Sequence, residues 1–169
     1  MTICETYQTT LPYCEKNNPT HKEKCACFCD DRSKIVVQGR GKESGKKLII
    51  NNLSKNTFCV RQLDACVLVQ ETSCDYVVIN CTKNEIILLE LKGSDVNKAI
   101  EQLLQTINKL KDKPFFKLSE KIIICSIHSY VPNPRLWTTN NLKLNRLLAS
   151  LHTKQTNYIP ASREHTITY

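Results

Sequence analysis

Two apolar runs joined by a short polar link occupy residues 75–92, DYVVINCTKNEIILLELK. Both runs, 75–81 and 85–92, are rich in β-branched and aliphatic side chains, a composition typical of strands. Only residues 82–84 lie between them. So short a link predicts an antiparallel hairpin, because a parallel return would need a crossover connection. This hairpin decides the fold, because the elements on either side can be placed relative to it.

The hairpin brings two acids and a lysine to one face. Glu90 and Lys92 are two residues apart in a strand and therefore project from the same side. If residues 83–84 form the turn, Asp75 lies opposite Lys92, and if residues 82–83 form it, Asp75 lies opposite Glu90. Directly paired residues share a face, so both registers bring the three side chains together, whereas a three-residue turn without a bulge would separate them.

This group of side chains has two interpretations. The simpler one is a surface salt bridge of Asp75 and Glu90 around Lys92, because an acid two residues before a lysine is common in any sequence. The other is a metal site, because two repelling carboxylates need a cation and Mg²⁺ prefers oxygen ligands. In the second interpretation, Lys92 orients the attacking water or stabilises the transition state.

A long amphipathic helix follows the hairpin. Gly93 ends the second strand, Ser94 or Asp95 can cap the helix, and apolar residues recur at helical spacing over residues 96–110. Residues 121–127, KIIICSI, predict a buried strand. A helix between two strands is typical of the crossover in a parallel pair. We therefore predict an α/β or α+β fold with a mixed central β-sheet flanked by helices.

The regions further out give weaker signals. Residues 34–38 and 47–50 predict short strands, and residues 58–70 predict a strand before the hairpin. Residues 142–151 predict a last helix in a turn-rich tail. Residues 1–34 are polar and rich in cysteine, without a clear period. We therefore expect a Cys-rich N-terminal segment, 1–34, followed by one domain, 35–169.

Three segments together match a known pattern: CDYVVI at 74–79, ILLELKG at 87–93 and AIEQL at 99–103. They resemble the PD-(D/E)xK superfamily, which includes restriction endonucleases and many repair nucleases. The resemblance covers about residues 58–127. Cys74 stands where the superfamily name has proline, and the sequence shows no clear helix before the first strand of the pattern.

The resemblance implies both a fold and a site. The implied restriction-endonuclease-like core runs helix, three-stranded meander, helix, strand. Asp75, Glu90 and Leu91 are the implied positions for Mg²⁺ or Mn²⁺, and Lys92 acts at the attacking water. Gln102 matches a position that supports the site, so the implied catalytic residues are Asp75, Glu90, Lys92 and Gln102.

A positive charge suits a polyanionic partner. The chain has 24 Lys and Arg against 16 Asp and Glu, a net charge of +8, and small basic domains often bind nucleic acid. Residues 39–47, GRGKESGKK, form a basic loop whose glycine spacing matches no phosphate-binding loop. One interpretation is a solvated hairpin tip. The other is a phosphate-contacting loop that uses Arg40, Lys42, Lys46 and Lys47.

The ten cysteines raise the question of compartment. The N-terminus lacks the apolar region of a secretory signal, and no run of residues is apolar enough to span a bilayer, so we expect a cytoplasmic protein. Thiols or metal ligands are then expected rather than disulfides. The N-terminal cysteines are the candidates for a zinc site: Cys4, Cys14, Cys25, Cys27 and Cys29. The others are expected to be buried thiols: Cys59, Cys66, Cys74, Cys81 and Cys125.

These observations favour a Mg²⁺-dependent endonuclease acting on DNA, in restriction or another defence role. One alternative is a nucleic-acid-binding module that has the fold but does not cut. The other is a structural or regulatory protein in which the acids form only salt bridges. We expect no association with membranes. The sequence is compatible with either a monomer or a homodimer.

Overall fold

The computed structural model describes residues 2–11, 27–64, 66–68, 72–130, 142, 144–146, 149 and 155–169. The helices in this part of the chain are α1 (Ile3–Thr10), α2 (Val96–Leu110) and α3 (Pro114–Lys117), with one 3-10 turn at Gly41–Glu43. Residues 142, 144–146 and 149 are also helical. The strands in the described part are β1 (Cys27–Asp30), β2 (Lys34–Gln38), β3 (Lys47–Asn51), β4 (Phe58–Gln62), β5 (Tyr76–Asn80), β6 (Glu85–Lys92), β7 (Lys121–His128), β8 (Gln155–Ser162) and β9 (Glu164–Thr168). The fold is mixed α+β, as the sequence predicted at the level of class.

The predicted hairpin is present as β5 and β6. Asn80 pairs with Glu85 and Tyr76 with Leu89, which is the second of the two predicted registers. The strand before the hairpin, β4, is antiparallel to β5, and it ends earlier than predicted. It stops at Gln62 because the next residues turn back, with the amides of residues 66–68 donating to the Leu63 carbonyl.

The predicted crossover is also present. Helix α2 begins after Asp95, whose side chain accepts a hydrogen bond from the Lys98 amide at 2.9 Å. It leads through α3 into β7, which lies parallel to β6. The strand order of the larger sheet is β1-β4-β5-β6-β7-β8, and β2, β3 and β9 form a second sheet. The larger sheet therefore combines an antiparallel meander with parallel strands.

Each face of the larger sheet is covered by a different layer. Alternate residues of β6 face opposite sides: Ile86 and Leu88 join one apolar cluster with the helices, while Ile87, Leu89 and Leu91 join another with the second sheet. This alternation follows from the period of two in a strand. It explains why β6 is apolar at nearly every position, since both of its faces are buried.

The N-terminal segment is not separate from the domain, contrary to the predicted boundary after residue 34. Thr2 and Glu5 form a capping box that starts α1. Ile3, Tyr7 and Leu11 are buried in the same cluster as α2, and β1 pairs with β4. The helix was not predicted because threonine and glutamine separate its apolar residues, although the capping box is visible in the sequence.

The C-terminal tail is not simply turn-rich, because residues 155–169 form β8 and β9. Pro160 lies in β8, which is an edge of the larger sheet, where a missing amide donor is tolerated. The predicted helix at 142–151 lies largely outside the described residues. Among the residues that the structure describes, no helix is long and apolar enough to cross a membrane.

Candidate functional site

The two acids and the lysine predicted from the sequence lie together on the helix-facing side of the larger sheet. Asp75 directly precedes β5, and the register that pairs Tyr76 with Leu89 places it beside Glu90. Its Oδ2 accepts a hydrogen bond from the Leu91 amide at 2.6 Å. The Asp75 carboxylate is thus held against the end of β6 by a backbone contact.

The lysine contacts one acid and the long helix. Lys92 Nζ lies 3.5 Å from Glu90 Oε1 and donates a hydrogen bond to Gln102 Oε1 at 2.5 Å. Gln102 is buried on α2, and its Nε2 donates to the Ser73 carbonyl at 3.0 Å. The predicted supporting residue therefore orients the lysine and ties it to the segment that precedes Asp75.

Glu90 is an unusual buried acid. It is only 1% exposed, and in the described part of the chain neither of its carboxylate oxygens has a hydrogen-bond partner. Burial, together with the negative charge of Asp75, raises the pKa of Glu90 to about 9, against the opposing effect of Lys92. Such a carboxylate gains from a cation that replaces lost hydration.

Burial also raises the pKa of Asp75, but by less than that of Glu90. Burial raises the pKa of Asp75 to about 6, while the hydrogen bond from the Leu91 amide opposes the rise. The charges of Asp64 and Glu43 raise it further. Asp64 is exposed and follows the end of β4 by two residues. Two adjacent acids with raised pKa values are typical of functional sites.

The donor set fits a hard divalent cation. Asp75 and Glu90 offer carboxylate oxygens, while Leu91 can offer only its backbone. Buried Glu90 has no hydrogen bond to either oxygen in the described chain, and this observation favours an ion here. If both carboxylates are ionised, the positive charge of Lys92 balances only one of them. The three side chains then carry a net charge of −1, which a bound cation would neutralise.

The basic loop reaches this site from the side of the second sheet. A cavity of about 100 Å³ is lined by Asp75 and Leu91 and also by Arg40 and Glu43 from the loop. Glu43 was not singled out from the sequence, because it stands among glycines and lysines. Its position near Asp75 depends on the contact between the two sheets, and the sequence does not show that contact.

The four basic residues of the loop differ in exposure. Arg40 and Lys42 are exposed. Lys46 is 4% exposed and forms an ion pair with Glu43, and Lys47 pairs with Glu164 at 3.1 Å. The expectation that all four face a nucleic acid is therefore corrected for Lys46, whose charge is directed inward.

A row of polar residues on β7 runs beside the acid and the lysine. In the parallel register, Ser126 lies next to Glu90 and His128 next to Lys92. His128 Nε2 and Ser126 Oγ are 3.0 Å apart. His128 had no role predicted from the sequence, although the predicted parallel pairing of β6 and β7 would have placed it here. Burial lowers its pKa, so the imidazole is neutral near pH 7.

The cysteines differ in part from the sequence expectation. Disulfides join Cys4 to Cys81 and Cys29 to Cys59, and Cys66 is also disulfide-bonded, so the predicted thiol state of Cys59, Cys66 and Cys81 is wrong. These pairings bridge elements far apart in sequence, which spacing alone cannot reveal. Cys74 and Cys125 are buried thiols, as predicted, and Cys27 is a half-buried thiol. Cys14 and Cys25 lie outside the described residues.

In comparisons with known proteins, no family model matches the chain, and no curated protein or solved structure matches it significantly.

Proposed function

We propose that the chain is a Mg²⁺-dependent nuclease of the PD-(D/E)xK superfamily that hydrolyses phosphodiester bonds of DNA. The observation that carries the proposal is the carboxylate group: Asp75 and Glu90 lie side by side, Glu90 is buried without a hydrogen bond to either oxygen in the described chain, and Lys92 lies 3.5 Å from its Oε1. The ion pair with Lys92 reaches only Oε1 of Glu90, and a bound cation would supply the partner that Oε2 lacks in the described chain.

The arrangement of elements supports the proposal. Around the site, α1 precedes an antiparallel meander of β4, β5 and β6, which α2 connects to a parallel β7. This order is compatible with the restriction-endonuclease-like core that the sequence resemblance implies. We assign α1 as the upstream helix of that core, with β1, β2 and β3 between it and the meander.

The roles of the residues follow from their contacts. Mg²⁺, when held by Asp75, Glu90 and the Leu91 backbone, would lower the pKa of a bound water and neutralise charge on the phosphate. Lys92 presents its ammonium group beside Glu90, where it orients the attacking water. Gln102 fixes Lys92 through a hydrogen bond and so limits the positions that the ammonium can take.

A cleavage assay tests the proposal directly. Purified protein is incubated with plasmid, linear duplex, single-stranded DNA and RNA, in Mg²⁺, in Mn²⁺ and in a chelator. We expect DNA to be cut only with the metal. Absence of cutting in both metals, by protein that is folded and binds DNA, would leave the non-cleaving binding module as the better interpretation.

Binding to DNA is expected to depend strongly on salt. Arg40 and Lys42 are exposed beside the cavity that reaches Asp75, so they are placed to contact phosphates. The plot of log affinity against log salt should be linear, and Arg40→Ala with Lys42→Ala should reduce its slope by roughly 0.9 for each phosphate that is no longer neutralised. Fluorescence anisotropy with a labelled duplex in chelator measures the slope.

Lys117→Ala is the matched control for these two variants, because it removes one positive charge from an exposed residue of α3, just before β7 begins and so at the end of the sheet opposite to Lys92. It should leave the slope unchanged. An equal reduction in all of the variants would mean that only net charge attracts the DNA, and an affinity independent of salt would contradict phosphate-dominated binding.

A further inference from the structure

Three cysteine sulfurs meet where α1 packs on the larger sheet, and a fourth is bonded to one of them. Cys4 lies on α1, Cys29 on β1 and Cys59 on β4, and Cys81 directly follows β5. The sulfurs of Cys4, Cys59 and Cys81 all lie within 4.8 Å of one another. Cys29 joins the group through its bond to Cys59. We call these four residues the cysteine cluster.

The separations between the two bonded pairs match a known coordination geometry. Cys59 Sγ lies 3.9 Å from Cys4 Sγ and 3.7 Å from Cys81 Sγ. In a tetrahedral zinc site with Zn–S bonds of about 2.3 Å, neighbouring sulfurs are about 3.8 Å apart. Small movements would therefore suffice to place the thiolates of Cys4, Cys59 and Cys81 around one ion, while Cys29, next to Cys59, would turn toward it as the fourth ligand.

We propose that, when its cysteines are reduced, the cysteine cluster binds one Zn²⁺ through the thiolates of Cys4, Cys29, Cys59 and Cys81. This ligand set retains Cys4 and Cys29, which the sequence indicated, and adds two cysteines that the chain brings in from β4 and β5. Zinc fits better than Mg²⁺ because thiolates are soft ligands. The site is thus separate in position and in chemistry from the carboxylate site.

The surroundings favour an anionic metal site. Arg61 lies two residues after Cys59 on the same face of β4, is 2% exposed, and stacks over the Tyr7 ring at 5.1 Å. A zinc ion with four thiolates carries a net charge of −2, so a buried guanidinium nearby stabilises it electrostatically. Cys59 itself is buried in the apolar core, so this ligand is shielded from water, while Cys29 is exposed.

The ion would hold the N-terminal helix on the sheet. Helix α1 has eight residues, too few to be stable alone, and Cys4 connects it to β4 and β5 through the cluster. In a reducing compartment the disulfides would be lost, and zinc would replace them as the link. The cluster would then stabilise the chain in either redox state.

The experiment begins from the full chain with its disulfides reduced. A water-soluble phosphine reduces each disulfide: one phosphine and one water give two thiols and one phosphine oxide, so an excess over three equivalents reduces the two bonds of the cluster and the one that Cys66 forms. The phosphine is removed without air, and Co²⁺ and then Zn²⁺ are titrated in. Circular dichroism confirms that the reduced chain is folded.

We expect one equivalent of Co²⁺ per chain, with a near-ultraviolet thiolate-to-cobalt absorption that one equivalent of Zn²⁺ removes. This absorption comes from sulfur ligands, so cobalt at the carboxylate site does not produce it. Glu90→Gln should therefore leave it unchanged, which separates this inference from the proposed nuclease activity.

Variants identify the ligands. Cys29→Ser, at an exposed position that tolerates substitution, and Cys59→Ser should each weaken zinc binding by at least about a hundredfold. The matched control is Cys125→Ser, which removes a buried thiol from β7 on the other face of the sheet and should bind like the original chain. The inference is overturned if the folded, reduced chain binds less than about a tenth of an equivalent, or if Cys29→Ser binds zinc with unchanged affinity.

Discussion

Glu90→Gln is expected to reduce Mg²⁺-dependent DNA cleavage by at least about a thousandfold, and Asp75→Asn by a similar factor. Each replacement keeps the size of the side chain but removes a charge that holds the ion. An ion at the scissile phosphate supplies several kcal/mol of charge stabilisation, and each factor of ten in rate corresponds to about 1.4 kcal/mol. Initial rates on a labelled duplex at saturating Mg²⁺ measure the loss.

The structure offers a matched control for Glu90→Gln in the same strand. Glu85 begins β6, is nearly buried, and lies 3.8 Å from its own lysine partner, Lys121. Glu85→Gln therefore removes a similar charge and a similar ion pair at the other end of the strand. It should leave the cleavage rate within about twofold of the original. Cleavage by Glu90→Gln at the original rate would remove this site from the mechanism.

Stability separates the metal site from a structural salt bridge. If Glu90 served only to pair with Lys92, its replacement would lower the melting temperature of the metal-free chain. Because the Glu90 carboxylate is buried and its oxygens lack hydrogen-bond partners in the described chain, a neutral amide should keep or raise that temperature. DNA binding in chelator should also be kept, because the pKa of about 9 leaves Glu90 neutral near pH 7 without a metal, so the replacement removes no charge there.

The sequence correctly predicted those elements whose spacing of apolar residues matches the faces that are buried in the structure. Strand β6 is apolar on both faces, and α2 has a regular apolar stripe that begins at a capping aspartate, so their types follow from period alone. The short link of residues 81–84 then determines the antiparallel pairing. These elements alone suffice to place Asp75, Glu90 and Lys92 on one face.

The elements that the sequence missed depend on contacts between distant segments. Strand β9 is polar at alternate positions and exists because it pairs with β3, more than a hundred residues earlier in the chain. The Glu43 side chain reaches the site only because the second sheet packs on the first. The pairing of Cys4 with Cys81 spans 77 residues, so spacing carries no information about it.

Lys92 is expected to act on turnover and not on metal binding. It donates to Gln102 and lies beside Glu90, but an ammonium group cannot be a ligand of Mg²⁺. Lys92→Ala should therefore keep the rise in melting temperature that Mg²⁺ produces by binding the folded state. It should lower kcat by about a hundredfold or more, which is the usual cost of losing one preorganised donor at a developing charge.

The two measurements on Lys92→Ala are compared with those on Glu90→Gln and on a control. Glu90→Gln should lose both the Mg²⁺-dependent rise in melting temperature and the cleavage. Lys98→Ala removes an exposed lysine from the first turn of α2 and should lose neither. Lys92 lies near Glu90, so Lys92→Ala removes a positive charge that competes with a cation for the carboxylates. The affinity for Mg²⁺ should therefore stay the same or rise. A Lys92→Ala chain that cuts at the original rate, or that no longer responds to Mg²⁺, would contradict the role given to Lys92 at the attacking water.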